Sequence, residues 1–405
     1  MSSDTFLVSL KESSLRSWAD GSPSTFARNI SCAQYKMDDL KIAIVHDDFI
    51  QHGGAERLVL AMLKIWPQAD LYSVTASDTW RREIKKLSNK KIITTWVAKL
   101  SFKEKLFRQY YLLYPLSVES FNFDGYDLVV SSSARYAHGI ITKPGTAHIA
   151  YVNSPARFIW QEDLAPKGFL TGKIVSWHRA WDKVASMRPD YIIANSKTPA
   201  KRIEEYWGRR PDKIIYPFID YARFSAGALG GAVTNKFPVG EYFLIVTRLS
   251  KWKRVDIAIE ACNELKLPLV IVGRGDHAGY LQSISGSTVT FLDSVNDAEV
   301  SSLYYGCKAL IMTQEEDFGL TALEAQACGK PVIAFRSGGA LETVVEGVTG
   351  VFFDSQNEES LKTTLQQFDP KLFLGENCTA QSSKFDFNKF RSELENFCEN
   401  VLRNR

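Results

Sequence analysis

ALIMTQEEDFGLTALEAQACGKPVIAF (309–335) reads as strand, loop, helix and strand in succession. The outer runs, ALIMT (309–313) and PVIAF (331–335), are apolar on both faces, the pattern of parallel strands covered by helices on each side. Between them stand Glu316 and Glu324, eight residues apart. Phe318 to Thr321 are expected to form the first turn of the helix, with Glu316 in the loop before it and Glu324 on the next turn. A loop that follows a strand and opens a helix lies at the carboxyl edge of an open sheet, where such folds bind ligands.

The chemistry of this loop suits a sugar diphosphate. The backbone amides of Phe318, Gly319, Leu320 and Thr321 have no carbonyl one turn earlier to bond, and the helix dipole adds partial positive charge. Gly319 lets a ligand approach the backbone closely. A carboxylate such as Glu316 or Glu324 accepts hydrogen bonds from two neighbouring hydroxyls of a hexose or ribose. A pair of glutamates alone is more often just exposed surface. The Phe-Gly step, the strands on either side and the A-C-G-K-P-V that follows argue for a site.

Working outward, the pattern repeats along the chain. KIAIVHD (41–47), DLYSVT (70–75), YDLVVSSS (126–133), HIAYVN (148–153), YIIANS (191–196) and KIIYPF (213–218) form a first series of strand candidates. YFLIVTRL (242–249), LPLVIVG (267–273) and TVTFLD (288–293) join the opening stretch in a second. The small, Gly-rich run SAGALGGAVTNKFPVG (225–240) separates them as a linker. Two such series predict an α/β protein of two Rossmann-like, doubly wound domains facing across a cleft. The expected bounds are 37–219 and 220–385. The amphipathic segment at about 386–405 is expected to be a helix that packs back on a domain, and the Ser-rich residues 1–36 an extension or disordered segment.

Composition excludes several classes. The chain has 405 residues and a formal charge of only +3, unlike a dedicated nucleic-acid binder. No apolar run is long enough to span a bilayer, and the N-terminus lacks the pattern of a secretory signal. The six cysteines show no C-x-x-C pair and read as reduced, buried thiols of a cytoplasmic protein. Residues 80–115 are locally basic, with Lys99, Lys103, Lys105 and Arg108 interleaved with aromatic residues from Trp96 to Tyr114. Such a mixture suits an anionic membrane surface, and equally a solvated face over core aromatics.

Three further motifs follow strands. In TRLSKWKRVDIAIEA (247–261), Arg248 and Lys253 can both reach one pyrophosphate, whose charge grows as it departs. In HDDFIQHGGAER (46–57), Gly53-Gly54 opens a helix without a Cβ in the way of a phosphate or sugar. The loop lacks a full G-x-G-x-x-G, which disfavours a nicotinamide enzyme. SSSARYAHG (131–139) places His138 after a strand end. No cluster of carboxylates or histidines has metal-ligand spacing; Asp47-Asp48 adjoins the glycine loop without partners.

With these motifs in this order from Lys41 to about Val351, the chain resembles the family 4 retaining glycosyltransferases, whose E-x7-E signature matches Glu316 to Glu324 and whose fold is GT-B. Within that family, HDDFIQHGGAE (46–56), SSSARYAHG (131–139) and YVNSPARFIW (151–160) are most similar to the bacterial O-antigen and capsule mannosyltransferases. The resemblance implies transfer of a hexose, with GDP-mannose as donor and a lipid-linked saccharide as acceptor, without a metal or any other cofactor. UDP-sugars are the alternative donors; a two-domain sugar-nucleotide epimerase and a binding module on an inactive scaffold are the alternative functions. It further implies Glu316 and His138 at the sugar, Arg248 and Lys253 on the diphosphate, and base reading by backbone near Val295. YVNSPARFIW departs from the branch, with Asn153-Ser154-Pro155 in place of His-Thr-Pro; Arg157 and Trp160 are the acceptor candidates. The implied place of work is the cytoplasm, peripheral at the inner face of the plasma membrane.

Overall fold

The computed structural model describes residues 37–51, 53–100, 107–161, 169–225, 241–293 and 295–405. The segment expected to be an extension (1–36) and nearly all of the expected linker lie outside them. Among the described residues, thirteen strands form two parallel sheets. The first comprises β1 (Ile42–Phe49), β2 (Asp70–Ala76), β3 (Ile92–Thr94), β4 (Leu128–Ser133), β5 (Ala147–Val152), β6 (Tyr191–Ala194) and β7 (Lys213–Ile214), ordered β3-β2-β1-β4-β5-β6-β7. The second comprises β8 (Phe243–Val246), β9 (Leu269–Val272), β10 (Val289–Leu292), β11 (Leu310–Met312), β12 (Val332–Phe335) and β13 (Gly350–Phe353), ordered β10-β9-β8-β11-β12-β13.

The double apolarity of the strands has the expected cause. Along β1, Ile42 and Ile44 enter one core while Ala43 and Val45 enter another on the opposite face. Along β9, Val270 and Val272 face one core and Leu269 and Ile271 the other. The C-terminal helix (Phe387–Arg403) inserts Phe390, Leu394, Cys398 and Val401 into the core of the first sheet, so the chain end crosses back to its beginning. Burial of each large side chain there stabilises the fold by roughly 1.5–3 kcal/mol. The expected strand 213–218 stops at Ile214: Pro217 has no N–H to donate, and Phe218 instead packs on Phe387 and Phe390. The described cysteines, Cys262, Cys307, Cys328, Cys378 and Cys398, are free and buried.

Each sheet reverses its strand order once, between β1 and β4 and between β8 and β11. Ligands of doubly wound sheets bind in the crevices outside such points, at the carboxyl strand ends.

Candidate active site between the two sheets

At the second reversal, the turn after β8 carries Lys253 and the loop after β11 carries Glu316. Lys253 is buried, at 8% exposure, and its ammonium bonds Glu316 Oε1 directly. Gln314 Nε2 donates to the same oxygen at 2.8 Å. Burial alone would raise the carboxyl pKa of Glu316, but Lys253 and Gln314 outweigh it and hold the group below its ordinary value. At Lys253 burial outweighs the pairing and holds the ammonium below the usual lysine value. The two expected diphosphate cations lie in different environments. Arg248 is exposed and has no side-chain hydrogen bond or ion pair among the described residues.

The helix begins at Leu320 rather than Phe318. Gly319 stands at its N-cap with φ 93°, a backbone conformation that favours glycine. The Phe318 ring is buried against Tyr216 and Phe385, so its part is packing. The amides of Leu320 and Thr321 open the helix as expected. Glu324 is buried one turn on, and burial lifts its carboxyl above the ordinary range. Arg57 Nη1 donates to its Oε1 at 3.2 Å and Tyr304 Oη to its Oε2 at 2.9 Å, leaving each oxygen a second lone pair. Val295 lies beyond β10, packed at the edge of the same core.

Sequence reasoning missed the Ser337-Gly338-Gly339 turn after β12. Ser337 Oγ donates to Glu315 Oε2 at 2.6 Å, and the Gly339 amide donates to the Glu316 carbonyl at 2.8 Å. A Cβ on Gly339 would lie 2.3 Å from Phe318 backbone, so only glycine permits this approach. Two adjacent glycines shortly after a strand end were the available signal.

The first sheet meets this loop from across the cleft. A Cβ on Gly54 would stand 3.0 Å from Leu320 Cδ1, so the glycine step sets how closely the helix starts approach. Gly53 is the N-cap of the Gly54–Ile65 helix, beside Glu56. Arg157 lies over the Trp252 ring at 4.4 Å and 3.8 Å from Asp317 Oδ1, and donates to Gln161. Trp160 is a wall rather than a free donor: its indole N–H bonds Asp182 at 2.7 Å and its ring stacks on Tyr206.

At the first reversal the expectation for His138 is corrected. Its side chain is fully buried, with Nδ1 3.0 Å from Ser133 Oγ and Nε2 3.3 Å from Asp182, against the Trp207 ring. The ring is enclosed by that indole and carboxylate and presents no exposed edge to the cleft. Asp47 accepts the amides of Ala134 and Arg135 on Oδ2, and those of Tyr136 and Ala137 on Oδ1, at 2.6–2.9 Å. Asp48 is buried and paired with Arg135 at 2.7 Å. Among the described residues no group of three or more His, Cys, Asp or Glu is placed to hold a metal ion. In the basic stretch, Trp96 and Lys99 are exposed, but Tyr110, Tyr111 and Tyr114 pack into the domain core. The side chains of Lys103, Lys105 and Arg108 lie outside the described residues.

Residues 232–369 match the family model described as glycosyl transferases group 1. A D-inositol 3-phosphate glycosyltransferase of Nocardiopsis dassonvillei is 30% identical over 202 residues, which are 44% of this chain and 47% of that relative. The chain thus spans about half the length of the curated relatives it matches. Among solved structures, sucrose-phosphate synthase of Thermosynechococcus elongatus superposes with a TM-score of 0.70 at 17% identity, covering 90% of this chain and all of that one. Anabaena HepE in complex with UDP gives 0.65 at 19%, covering 89% of this chain and 100% of that one. The fold is therefore GT-B, two Rossmann-like domains built on sheets of seven and six strands.

Proposed function

We propose that the chain is a retaining, metal-independent glycosyltransferase that moves a hexose from a nucleotide-diphosphate sugar onto an acceptor hydroxyl. The observation that carries this reading is the Lys253–Glu316 pair beside a helix N-terminus, at the carboxyl ends of β8 and β11 and facing Gly53-Gly54. The group 1 match, residues 232–369, covers the same region. In this reading the helix amides, Lys253 and Arg248 receive the diphosphate, and their charge favours its departure. Glu316 and Glu324 accept hydroxyl hydrogen bonds from sugar and ribose. The departing phosphate takes the acceptor proton, so no protein nucleophile is required.

GDP-mannose is the proposed donor and a lipid-linked saccharide of surface polysaccharide synthesis the proposed acceptor, on the branch motifs of the first domain. A UDP-sugar is the second reading, favoured by the HepE structures in complex with UDP and UDP-glucose. Among the described residues no helix is long and apolar enough to cross a membrane. The proposed cytoplasmic enzyme reaches its acceptor by peripheral contact through the basic stretch around Lys99. Sedimentation with anionic vesicles at low and high salt tests that contact, and salt-insensitive or absent pelleting refutes it.

The deciding experiment screens GDP-, UDP- and ADP-sugars by thermal shift. It then measures transfer to a lipid-linked saccharide and epimerisation of the donor, with and without EDTA. Transfer that survives EDTA supports the proposal. Epimerisation without transfer, or loss of transfer restored by Mn²⁺ or Mg²⁺, contradicts it.

A further inference from the structure

Arg202 is buried, at 5% exposure, on the Lys197–Trp207 helix of the first domain, yet its guanidinium is engaged by the second. Nη2 donates to Glu315 Oε1 at 2.7 Å, and Nη1 bonds Asp317 Oδ1. These are the two residues that flank Glu316. Nη1 also lies 3.3 Å from Ser154 Oγ, in the turn where the sequence departs from its family pattern. The start of the same helix adds two contacts: Ser196 Oγ bonds the Asp317 carbonyl, and the Lys197 amide donates to Glu342 at 3.0 Å.

We infer that Arg202 is a positioning residue: by gripping both neighbours of Glu316 from across the cleft, it makes the placement of Glu316 depend on the two domains being together. The inference rests on the glycosyl-transfer reading above. A planar guanidinium presents parallel donors that can span two carboxylates in one orientation, which a lysine ammonium cannot do. The guanidinium is out of water while Glu315 is 41% and Asp317 27% exposed, so the pairs are screened in part, and loss of the carboxylates leaves a buried charge uncompensated. From the other side the loop is held by Ser337 and the Gly339 amide, and Glu316 itself by Lys253. Without Arg202 the loop keeps its own-domain grips and the first-domain contacts of Ser196 and Arg157 to Asp317, but loses the one side chain among the described residues that holds both neighbours of Glu316.

The test uses the full chain with Arg202→Gln and Arg202→Lys. Hydrogen exchange is followed on the peptide 313–319, and turnover is measured at saturating donor. Misplacement of a reacting group costs up to about 100-fold in turnover. Arg202→Gln is expected to approach that loss in kcat with less than about a threefold change in donor KM, because the diphosphate cations are untouched. Exchange should rise in 313–319, and Arg202→Lys should recover little of either. Unchanged exchange in that peptide overturns the grip. Faster exchange with unchanged kcat overturns the positioning role. A general loss of protection with normal kcat per folded molecule shows a purely structural arginine and also overturns it. If Arg202→Gln does not fold, Glu315→Gln with Asp317→Asn removes the same pairs from the more exposed side and must reproduce the kcat loss. If the wild type transfers sugar from no nucleotide sugar, the proposed function fails, while the exchange readout still decides the grip.

Discussion

The two strand-order reversals have the same topology and opposite chemistry. After β1 and β4, the chain supplies its own anions: the Asp47 carboxylate bonds four consecutive amides, Asp48 takes Arg135, and His138 Nε2 stands 3.3 Å from Asp182. After β8 and β11, positive groups remain for a guest: Arg248 stands in solvent, and a helix N-terminus opens at Gly319. A carboxylate of the chain thus takes the amide cluster in the first crevice, whereas in the second Glu316 pairs with Lys253 and, among the described residues, no side chain caps the helix start at Gly319. Topology alone marks both crevices; whether the chain's own carboxylate fills the amide cluster is what distinguishes them, and the proposed function places the anion at the second.

The largest expected effect comes from breaking the first crevice. Asp47→Ala leaves four amides without their acceptor in a buried loop, and removal of one partner from a buried charged network costs about 3–5 kcal/mol. Denaturant titration should show the midpoint falling accordingly. A midpoint equal to wild type would mean that this carboxylate is not what holds the 134–137 loop.

Breaking the second crevice should remove activity instead. Glu316→Ala would strand the buried Lys253 ammonium and mix a stability loss with a functional one. Glu316→Gln keeps an acceptor for Lys253 and is the cleaner variant. Its turnover should fall below about a tenth of wild type, a barrier change above about 1.4 kcal/mol, with stability nearly preserved. Retained turnover above that level removes Glu316 from the site.

The two sheets were legible in the sequence, whereas the contrast between their crevices was hidden for definite reasons. Alternate strand residues enter cores on opposite faces, so the doubly apolar runs announced two covered sheets. The C-terminal helix was legible because its period of apolar residues is local. Strands β3 and β13, at the edges of their sheets and only partly buried, were not among the expected strands. His138 misled because its position after a strand says nothing about ring direction, which Asp182 and Trp207 decide from far along the chain. Arg202 was invisible for the same reason: its partner Asp317 is 115 residues away. Local pattern encodes which edge of a sheet a residue occupies, and long-range pairing decides whether it faces ligand or core.

Acid should sharpen the comparison by attacking the first domain. Burial pushes His148 down to about 3 and His178 down to about 4. Both therefore stay neutral in the fold but protonate near their ordinary value of 6.5 when unfolded. A group with a lowered folded pKa contributes stability that is full above the unfolded pKa and is lost as pH falls towards the folded one. For His148 the loss at pH 5 is about 2 kcal/mol. His46 has the opposite sign: burial would lower its pKa, but Glu56, Asp47 and Asp48 raise it, offsetting part of the loss. The difference between wild type and His148→Gln isolates the effect. Melting temperature should fall less from pH 7 to pH 5 in the variant, and parallel curves would show that His148 does not couple folding to protons.

The smallest effect separates the two cations of the second crevice. Lys253 is buried on Glu316, whereas Arg248 is exposed, so a diphosphate should feel them through different media. Exposed ion pairs contribute up to about 1 kcal/mol and are screened by salt. The screening length falls from about 30 Å at about 0.01 M salt to about 3 Å at about 1 M. Arg248→Ala should therefore raise the nucleotide-sugar KM about fivefold at low salt, and the penalty should shrink at high salt. Lys253→Ala should lower turnover at both salt levels, since its charge acts where water is excluded. Measuring kcat and KM of both variants at the two ionic strengths distinguishes them. A loss for Arg248→Ala that is independent of salt and as large as that of Lys253→Ala would place both cations in one enclosed environment. The second crevice would then be as sealed as the first, and the contrast between the two reversals would fail.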